Sequence, residues 1–449
     1  MLRQIAFKIQ EMGGRAFLVG GSVRDAAMGL DPKDADVEVF GVHRDALVEM
    51  LSQFGKPDMC GASFGVIKLW AGGEDFDFSL PRRDSKVGKG HKGFVPEFSD
   101  LTPEEAAERR DFTWDAMMQD IITGEVFDFF GGMEDIESRT IRATSKAFRE
   151  DPLRVLRGMQ FAGRFEMSVE RHTAQVCSEM FADFHDLSIE RVWTEFEKWA
   201  VKSSRPSFGL RFLEDTLWAE HFPEVARLMG LHQDPQWHPE GDTFEHTCQA
   251  VDAAADIAVR EGLSKEDRMV LVFSALCHDF GKVETTEFVD GHIRSRGHAD
   301  ASEAPTRAFM ARIGAPAWLV ERVVPLAREH MVFCHPHRPT ARAVRRLSVR
   351  LGDASVQMLA LVMEADQRAR GPAGHVHGIV QEMVALAERE HCQESQVQPI
   401  LMGRHLVAMG MRPGREFGVI LKAAFQAQLD GEFETVSEAV EWAREFVAP

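Results

Sequence analysis

Asp34 and Asp36 stand one residue apart in Asp34-Ala-Asp-Val-Glu-Val-Phe40, shortly after the glycine turn of Leu18-Val-Gly-Gly-Ser-Val-Arg-Asp25. Successive side chains of a β-strand alternate between faces, so the acids share one face while Ala35, Val37 and Val39 enter a core. Two carboxylates on one face can hold Mg2+, which takes few carboxylate ligands and completes its octahedron with water and substrate phosphates. The turn at Gly20-Gly21 lets backbone N–H groups approach an anion, and Arg24 offers a guanidinium fork to a phosphate. Together these residues point to phosphoryl or nucleotidyl transfer from a nucleoside triphosphate. Asp75 and Asp77 alternate with Phe76 and Phe78, and so can bring a further acid to the same face.

Two more clusters carry chemistry. In Arg149-Glu-Asp-Pro-Leu-Arg-Val-Leu-Arg157 the proline suits a helix's first turn, and Asp151, Arg154 and Arg157 recur every three residues on one side of that helix. An acceptor beside a donor fork can read the edge of a base. Upstream, in Glu108-Arg-Arg-Asp-Phe-Thr-Trp-Asp-Ala-Met117, Arg110 is placed to hold a triphosphate. Histidines then crowd the stretch from His232 to His337, with His246, His278-Asp279, His298 and His330, and Glu364-Ala-Asp366 follows. Imidazoles and carboxylates from successive helices can surround a divalent transition metal and activate a water. Arg342, Arg346 and Arg350 fall four apart with Arg345 beside them, a stripe that could follow RNA phosphates.

These residues need strands first and helices afterwards. Strands are expected at Ala16–Val19, Asp34–Phe40, Phe64–Trp70 and Asp75–Leu80, dense in Phe, Val, Ile or Leu and bounded by Gly, Pro or Asp. Arg82–Gly93 is rich in Lys, Arg and Gly and reads as a basic loop; it lacks the spacing of a P-loop. From about residue 140 apolar residues recur every three or four, predicting helices over Asp151–Phe165, Ser188–Val201, Asp242–Arg260, Lys265–His278, Ala299–Ile313, Thr340–Leu351 and Val356–Arg370. Breaks are expected at Arg205-Pro206, across Asp234-Pro-Gln-Trp-His-Pro-Glu-Gly241 and near Gly371. The tail has a loop at Gly410–Gly414, a helix through Leu429 and a last one from Ser437.

At 449 residues the chain exceeds one typical core. Hydrophobic content of 44% and charged content of 27% place it among globular proteins. No apolar run reaches the roughly 18 residues needed to span a bilayer, and the first ten residues read as an amphipathic helix, so no membrane partner and a cytoplasmic location are expected. Six scattered cysteines without a Cys-x-x-Cys pair indicate neither a disulfide framework nor a zinc ribbon. A formal charge of −19 argues against indiscriminate nucleic-acid binding, yet seven basic residues against two acidic ones between Arg139 and Arg164 leave room for a local basic path. The chain has no tyrosine but 32 phenylalanines, so no phenol is available as a hydrogen-bond donor.

The order of Leu18–Asp25, Asp34-Ala-Asp36, Arg109-Arg-Asp-Phe-Thr113, Phe130-Gly-Gly132 and Glu150-Asp-Pro-Leu-Arg154 with Arg157 resembles the bacterial-type tRNA nucleotidyltransferase and poly(A) polymerase family, the class II CCA-adding enzymes. The pattern His246, His278-Asp279, Asp366 resembles the HD phosphohydrolases. The first resemblance implies an α+β fold: a small polymerase β-like head with a mixed sheet over residues 1–140, then a helical neck and body over 141–235. A helical HD domain over 236–390 and a helical tail over 391–449 would complete it. It implies that Asp34 and Asp36 are catalytic and hold Mg2+, that Gly21, Arg24 and Arg110 grip CTP or ATP, and that Asp151 and Arg154, assisted by Arg157, choose the base. The partner would be a tRNA 3′ end receiving C-C-A. The second resemblance implies that His246, His278, Asp279 and Asp366 bind a transition metal such as Ni2+ or Mn2+, that His298 and His330 can serve a second ion, and that the domain has phosphatase or 2′,3′-cyclic phosphodiesterase activity. Poly(A) addition or CC-only or A-only addition is the alternative within the same chemistry. A phosphohydrolase with a non-catalytic RNA-binding head is the alternative outside it. Two positions depart from the head pattern: Asp115 where the family has Asn, and Phe129 where it has Pro.

Overall fold

The structure, a computed structural model, describes residues 1–31, 35–58, 66–86, 94–98, 101–333, 338–371 and 378–448. Asp34, Cys60, Cys334 and residues 87–93 of the expected 82–93 basic loop lie outside the described residues. The chain divides into two compact units, Met1–His221 and Phe222–Pro449.

The first unit is built on β1 (Arg15–Val19), β2 (Ala35–Phe40), β3 (Pro57–Asp58), β4 (Val66–Ala71), β5 (Glu74–Ser79), β6 (Arg82–Lys86), β7 (Phe94–Phe98), β8 (Met118–Asp120) and β9 (Val126–Phe127). Seven of these form one sheet in the order β3-β4-β5-β2-β1-β8-β9, with β2 and β5 parallel and the other neighbours antiparallel. The sheet is mixed, as expected for the head. One face is covered along the sheet and the other around β1 and β8. Val37, Val39, Phe76, Phe78, Ile67 and Leu69 pack with Ile5, Ile9 and Leu47 on one side. Phe17, Val19, Phe40 and Met118 pack with Ala106 and Ala107 on the other. A strand buried on both faces reads as a nearly continuous apolar run, which is why β1 is so plain in the sequence.

The basic segment that begins at Arg82 differs from the loop expected there: β6 and β7 pair antiparallel in a separate two-stranded sheet, with Arg82 opposite Phe98. A ladder is made by backbone groups, and a charged composition does not forbid it.

Behind the head, helices Leu153–Phe165, Ile189–Lys202 and Pro206–Asp215 pack together. Pro206, read as a break, is the first residue of a helix, where its missing N–H costs nothing. The buried Trp199 indole donates to the Pro206 carbonyl at 2.9 Å, tying the second helix to the start of the third.

The second unit is almost wholly helical. Thr243–Arg260, Lys265–Cys277, Ala317–Glu329 and Val356–Ala369 surround a core that includes Val251, Ala254, Val270, Phe273, Val323 and Leu359. A hairpin of Thr286–Val289 and His292–Ser295 and a short helix His298–Ala301 interrupt the bundle. The expected helix from Ala299 is split in two, the second part being Glu303–Arg312. The tail has its own cluster, in which Leu406, Ile420, Ala424, Ala439 and Ala443 join helices Gly403–Ala408, Arg415–Asp430 and Val436–Val447.

Candidate active site and metal centre

In the head, Asp36 occupies an exposed position on β2 and stands in register with Asp77 of β5. Their register neighbours Val37 and Phe78 enter the core, so the two acids lie on the opposite face together. The third acid anticipated from Asp75-Phe-Asp77 is thus Asp77, held at 3.0 Å by Lys68 Nζ from β4. A donor set of carboxylates alone suits Mg2+. One step further along β2 on the same face, Glu38 accepts from Arg110 Nη2 at 3.1 Å. Gly20 follows β1 at φ +62°, and a Cβ there would come within 3.0 Å of Arg110 Nη1. The glycine therefore lets Arg110 lie close over the turn at the head of the Gly21–Ala27 helix.

Arg24, expected to grip phosphate, is engaged by two aspartates. It is buried, with Nε 2.8 Å from Asp25 Oδ1 and Nη1 2.6 Å from Asp115 Oδ1. Arg157 carries the chain of charge onward: its Nε lies 2.5 Å from Asp111 Oδ2 and its Nη2 3.7 Å from Asp115 Oδ2. Arg164 Nη2 closes the other end at 3.5 Å from Asp25 Oδ2. Three arginines and three aspartates thus alternate, and Phe161 and Phe165 stack against the guanidinium groups. Burial resists ionisation of Asp111, but Arg157 and Arg154 outweigh it and hold its carboxyl below the usual range. For Asp115, burial and the nearby Asp111 prevail over Arg24, and its carboxyl is pushed up.

Asp151, Arg154 and Arg157 do not share one set of contacts. Asp151 Oδ1 accepts from Leu153 N–H at 3.1 Å and Oδ2 meets Arg191 at 2.6 Å. Arg154 donates to the carbonyls of Ala147 and Arg109 at 2.8 and 2.7 Å, which fixes the plane of its guanidinium against the Arg109–Thr113 segment.

In the second unit the structure brings all six histidine and aspartate candidates together. His246 lies one turn into its helix, His278 and Asp279 follow the end of theirs, and His298 opens a short helix. His330 closes Ala317–Glu329, and Asp366 sits near the end of Val356–Ala369. His246 Nε2 is 3.1 Å from Asp366 Oδ1, 3.3 Å from His278 Nε2 and 3.6 Å from Asp279 Oδ2. On the far side of Asp279, Oδ1 is 3.4 Å from His298 Nε2 and 3.9 Å from His330 Nε2, and these two nitrogens are 3.2 Å apart. Each imidazole is aimed from behind. His278, His298 and His330 donate Nδ1–H to the carbonyls of Ala275, Ser295 and Ala327, and His246 donates to Glu240 Oε1 at 2.6 Å. Every Nε2 therefore faces the common centre, the arrangement that fixes the tautomer of metal-binding histidines. Both oxygens of Asp279 are buried without a hydrogen bond, although Lys282 Nζ stands 2.6 Å from Oδ2 off the line of one. Orphaned buried carboxylate oxygens among inward imidazoles fit a pair of divalent ions that share Asp279.

The electrostatics agree with ligation. Burial works against the carboxylates, but His278 and Lys282 hold Asp279, and Arg370 and His246 hold Asp366, well below the ordinary range. Burial, with His278 and His298, pushes His330 down to about 3, so it meets an ion already neutral. His246 goes the other way: burial disfavours its charge, but Asp366 and Glu240 raise it. Glu240, His238, Lys282 and Arg370 are the parts that the sequence reading missed. Lys282 and Arg370 had a signal, each a cation one turn after an aspartate of the cluster, while Glu240 and His238 lie in a Pro- and Gly-rich stretch that looks like a linker.

The arginine stripe is closed by its own countercharges. Arg342 and Arg346 bind Asp430 at 2.8 and 2.6 Å, Arg345 binds Glu390 and the Leu429 carbonyl, and Arg350 binds Glu329 at 2.8 Å. These contacts brace the second unit and leave the four guanidinium groups engaged.

Four outcomes are expected. Asp115→Ala should lower stability by about 3 kcal/mol, the lower end for breaking a buried ion pair because Arg24 keeps Asp25, whereas Asp115→Asn should cost under about 1 kcal/mol. Since the folded carboxyl is raised, the wild type should gain on the Asn variant as pH falls toward 3.8. Urea unfolding at several pH values checks both. Binding of Mn2+ must expel the proton favoured on His246, so affinity should climb with pH and level off above that group's pKa. Calorimetry in buffers of different ionisation enthalpy measures the proton release; an affinity flat with pH contradicts it. Gly281→Ala places a Cβ 2.1 Å from the His298 carbonyl and should remove the ion on the His298/His330 side, halving the Mn2+ stoichiometry measured by the same titration.

Residues 16–142 match the Poly A polymerase head domain family and residues 243–366 the HD domain family. The chain is 37% identical over 369 residues to the multifunctional CCA protein of Xanthomonas oryzae pv. oryzae, covering 79% of this chain and 85% of that one. It is 38% identical over 340 residues to the multifunctional CCA protein of Aromatoleum aromaticum, covering 75% and 78%. Among solved structures, the CCA-adding enzyme of Bacillus stearothermophilus in complex with CTP superposes with a TM-score of 0.63 at 20% identity, covering 99% of this chain and 96% of that one. The Thermotoga maritima CCA-adding enzyme complexed with tRNA gives 0.57 at 17%, covering 99% and 94%. The fold is therefore that of the CCA-adding enzymes, and nucleotidyltransferase heads and HD domains use divalent metals. Identity at this level, spread over three quarters or more of both sequences, places the chain in the family of bacterial multifunctional CCA proteins, with a poly A polymerase head and an HD domain in one polypeptide.

Proposed function

We propose that this protein is a tRNA nucleotidyltransferase that builds or repairs the 3′-terminal CCA from CTP and ATP, and that its HD domain is a metal-dependent phosphohydrolase. The single observation that carries the first activity is the acidic face of β2 and β5, with Asp36 beside Asp77 and Arg110 lying over the Gly20 turn. In the reaction the tRNA 3′-oxygen forms a bond to the α-phosphorus, the bond to the β-phosphate oxygen breaks, and pyrophosphate leaves. Mg2+ held by Asp36, together with Asp34, would supply charge neutralisation at the attacking and leaving oxygens. Arg110 contributes a cation to the triphosphate, held by Glu38 until then, and Gly21 keeps the helix start clear of side chain. Arg24 acts from behind, bracing the Gly21–Ala27 helix against Thr113–Asp115. Asp151 and Arg154 offer the base an acceptor and a donor edge, oriented by Arg191 and by the carbonyls of Ala147 and Arg109; Arg157 supports them through Asp111.

In the HD domain, Lys282 and Arg370 line a cavity of about 270 Å³ that opens on Asp279 and Asp366. They are placed to receive the non-reacting oxygens of a phosphoester, while divalent ions such as Ni2+ or Mn2+ would supply Lewis acidity and a lowered water pKa. Among the described residues no helix is long and apolar enough to cross a membrane; a cytoplasmic location, where tRNA and nucleotides are at hand, fits this reading.

The deciding assay supplies tRNA ending at the discriminator base with Mg2+ and CTP, ATP or both, and sizes the products. Three added nucleotides in the order C-C-A are expected; a long A tail or an arrested C-C or A product assigns the narrower activities, and no extension leaves a hydrolase with an RNA-binding head. Asp36→Ala should lower addition by at least about a thousandfold, the scale of losing transition-state charge stabilisation. Mn2+- or Ni2+-dependent phosphoester hydrolysis should continue unchanged in that variant; simultaneous loss of both would contradict separate sites.

A further inference from the structure

Trp70 is exposed over 61% of its surface, although its strand neighbours Leu69 and Ala71 are buried. Tryptophan is on average a highly buried side chain, so an indole left in water in the middle of a sheet calls for a partner. Its place in that sheet says which. Ile67, Leu69, Ala71, Phe76 and Phe78 of β4 and β5 enter the core, which turns Lys68, Trp70, Asp75 and Asp77 to the opposite face, the one that carries Asp36. Asp36, Asp77 and Lys68 form one row across β2, β5 and β4, and Trp70 stands opposite Asp75 in the next row. Neighbouring strands lie about 4.8 Å apart, so β4 is about 10 Å from β2, on the side away from β1 and its Gly20 turn. Positive charge does not distinguish this flank. Lys68 is held by Asp77 at 3.0 Å and stands in register with Asp58 of β3, so in these rows Asp36, Asp58, Asp75 and Asp77 face a single lysine.

We propose that Trp70 is the platform on which the base of the tRNA's 3′-terminal nucleotide stacks while its 3′-oxygen attacks. This role rests on the nucleotidyl-transfer reading. In an in-line displacement the attacking and leaving oxygens lie on opposite sides of phosphorus. With the pyrophosphate on the β1 side, by Arg110 and the Gly20 turn, the attacking nucleoside comes in over β5 and β4. Its 3′-oxygen then lies above Asp36 and its base reaches across the two strand steps to Trp70. The kind of contact suits the task. The chain end differs at each step, a discriminator base, then C, then C again, and a hydrogen-bonding pattern fitted to one of them would reject the others. An aromatic ring accepts all of them, because every base has a π-face. On a flank where acids outnumber the cation, the ring supplies the hold on RNA that Lys and Arg supply elsewhere.

The test uses the full-length protein with Mg2+ and CTP, and compares tRNA ending at the discriminator base with the same tRNA whose last nucleotide carries no base. Trp70→Ala should raise KM for the first about tenfold, equivalent to about 1.4 kcal/mol and within the range of one stacked base, while KM for CTP stays unchanged. Trp70→Phe should restore most of the affinity. On the baseless end the wild type and Trp70→Ala should coincide, and on complete ends the loss should be similar for all four discriminator bases. Equal effects on both ends, no effect on either, or a loss confined to one base overturns the assignment. A second arm needs no turnover: 2-aminopurine as the last nucleotide should be quenched on binding to the wild type and stay bright on Trp70→Ala, and equal quenching by both overturns the platform. If the wild type extends no tRNA, the nucleotidyl-transfer reading fails, and the quenching alone then decides whether an RNA end lies over Trp70.

Discussion

Arg24 lies out of water between Asp25 and Asp115, and the geometry of the head depends on that pairing. A buried guanidinium with no counter-ion would cost several kcal/mol, so the Gly21–Ala27 helix cannot shift away from Thr113–Asp115 without exposing or orphaning it. Through Asp115 and Arg157 the same charges reach Asp111 and the Leu153–Phe165 helix. The glycine turn, the Arg109–Thr113 segment and the Leu153–Phe165 helix are far apart in sequence, yet they share one alternating row of charge. What looks in the sequence like three sets of substrate-binding residues is in part a connected scaffold of paired charges.

Asp115 makes the coupling plain. An amide at this position would keep the shape but not the charge opposite Arg24. The carboxylate binds the guanidinium more strongly and carries a burial penalty of its own, seen in its raised pKa. The aromatic setting fits the same picture. In a chain without tyrosine, Phe161 and Phe165 present plain ring faces to Arg24, Arg157 and Arg164, and no phenol competes for the carboxylates.

Much of this was legible in the sequence, and the reasons differ between elements. β1, β2 and β5 announced themselves because their burial alternates or runs continuously, and the mixed sheet they form agrees with the resemblance of the head motifs. The third carboxylate, Asp77, was within reach because residue spacing fixes which face it takes, although only the parallel register with β2 sets it beside Asp36. The cluster of inward histidines and aspartates in the second unit was readable from residue type and order. Their supports were not: Glu240 aims His246 from a Pro- and Gly-rich segment with no periodicity, and Gly281 matters only because the His298 carbonyl comes to lie where its Cβ would be. The Ala317–Glu329 helix escaped notice with Pro325 inside it, and the β6–β7 pairing was masked by charge. Tertiary context decided each of these, and no window of local sequence contains it.

Charge shows the same limit from the other side. The run from Arg338 to Arg350 is the densest basic stretch in its neighbourhood, yet Asp430, Glu390 and Glu329 arrive from distant positions to neutralise it. An acidic protein that handles RNA needs positive potential only where the strand passes, and screening confines that potential to about a Debye length, ~8 Å at physiological salt. It is therefore the pairing of each cation, not the density of cations along the chain, that decides where positive potential remains.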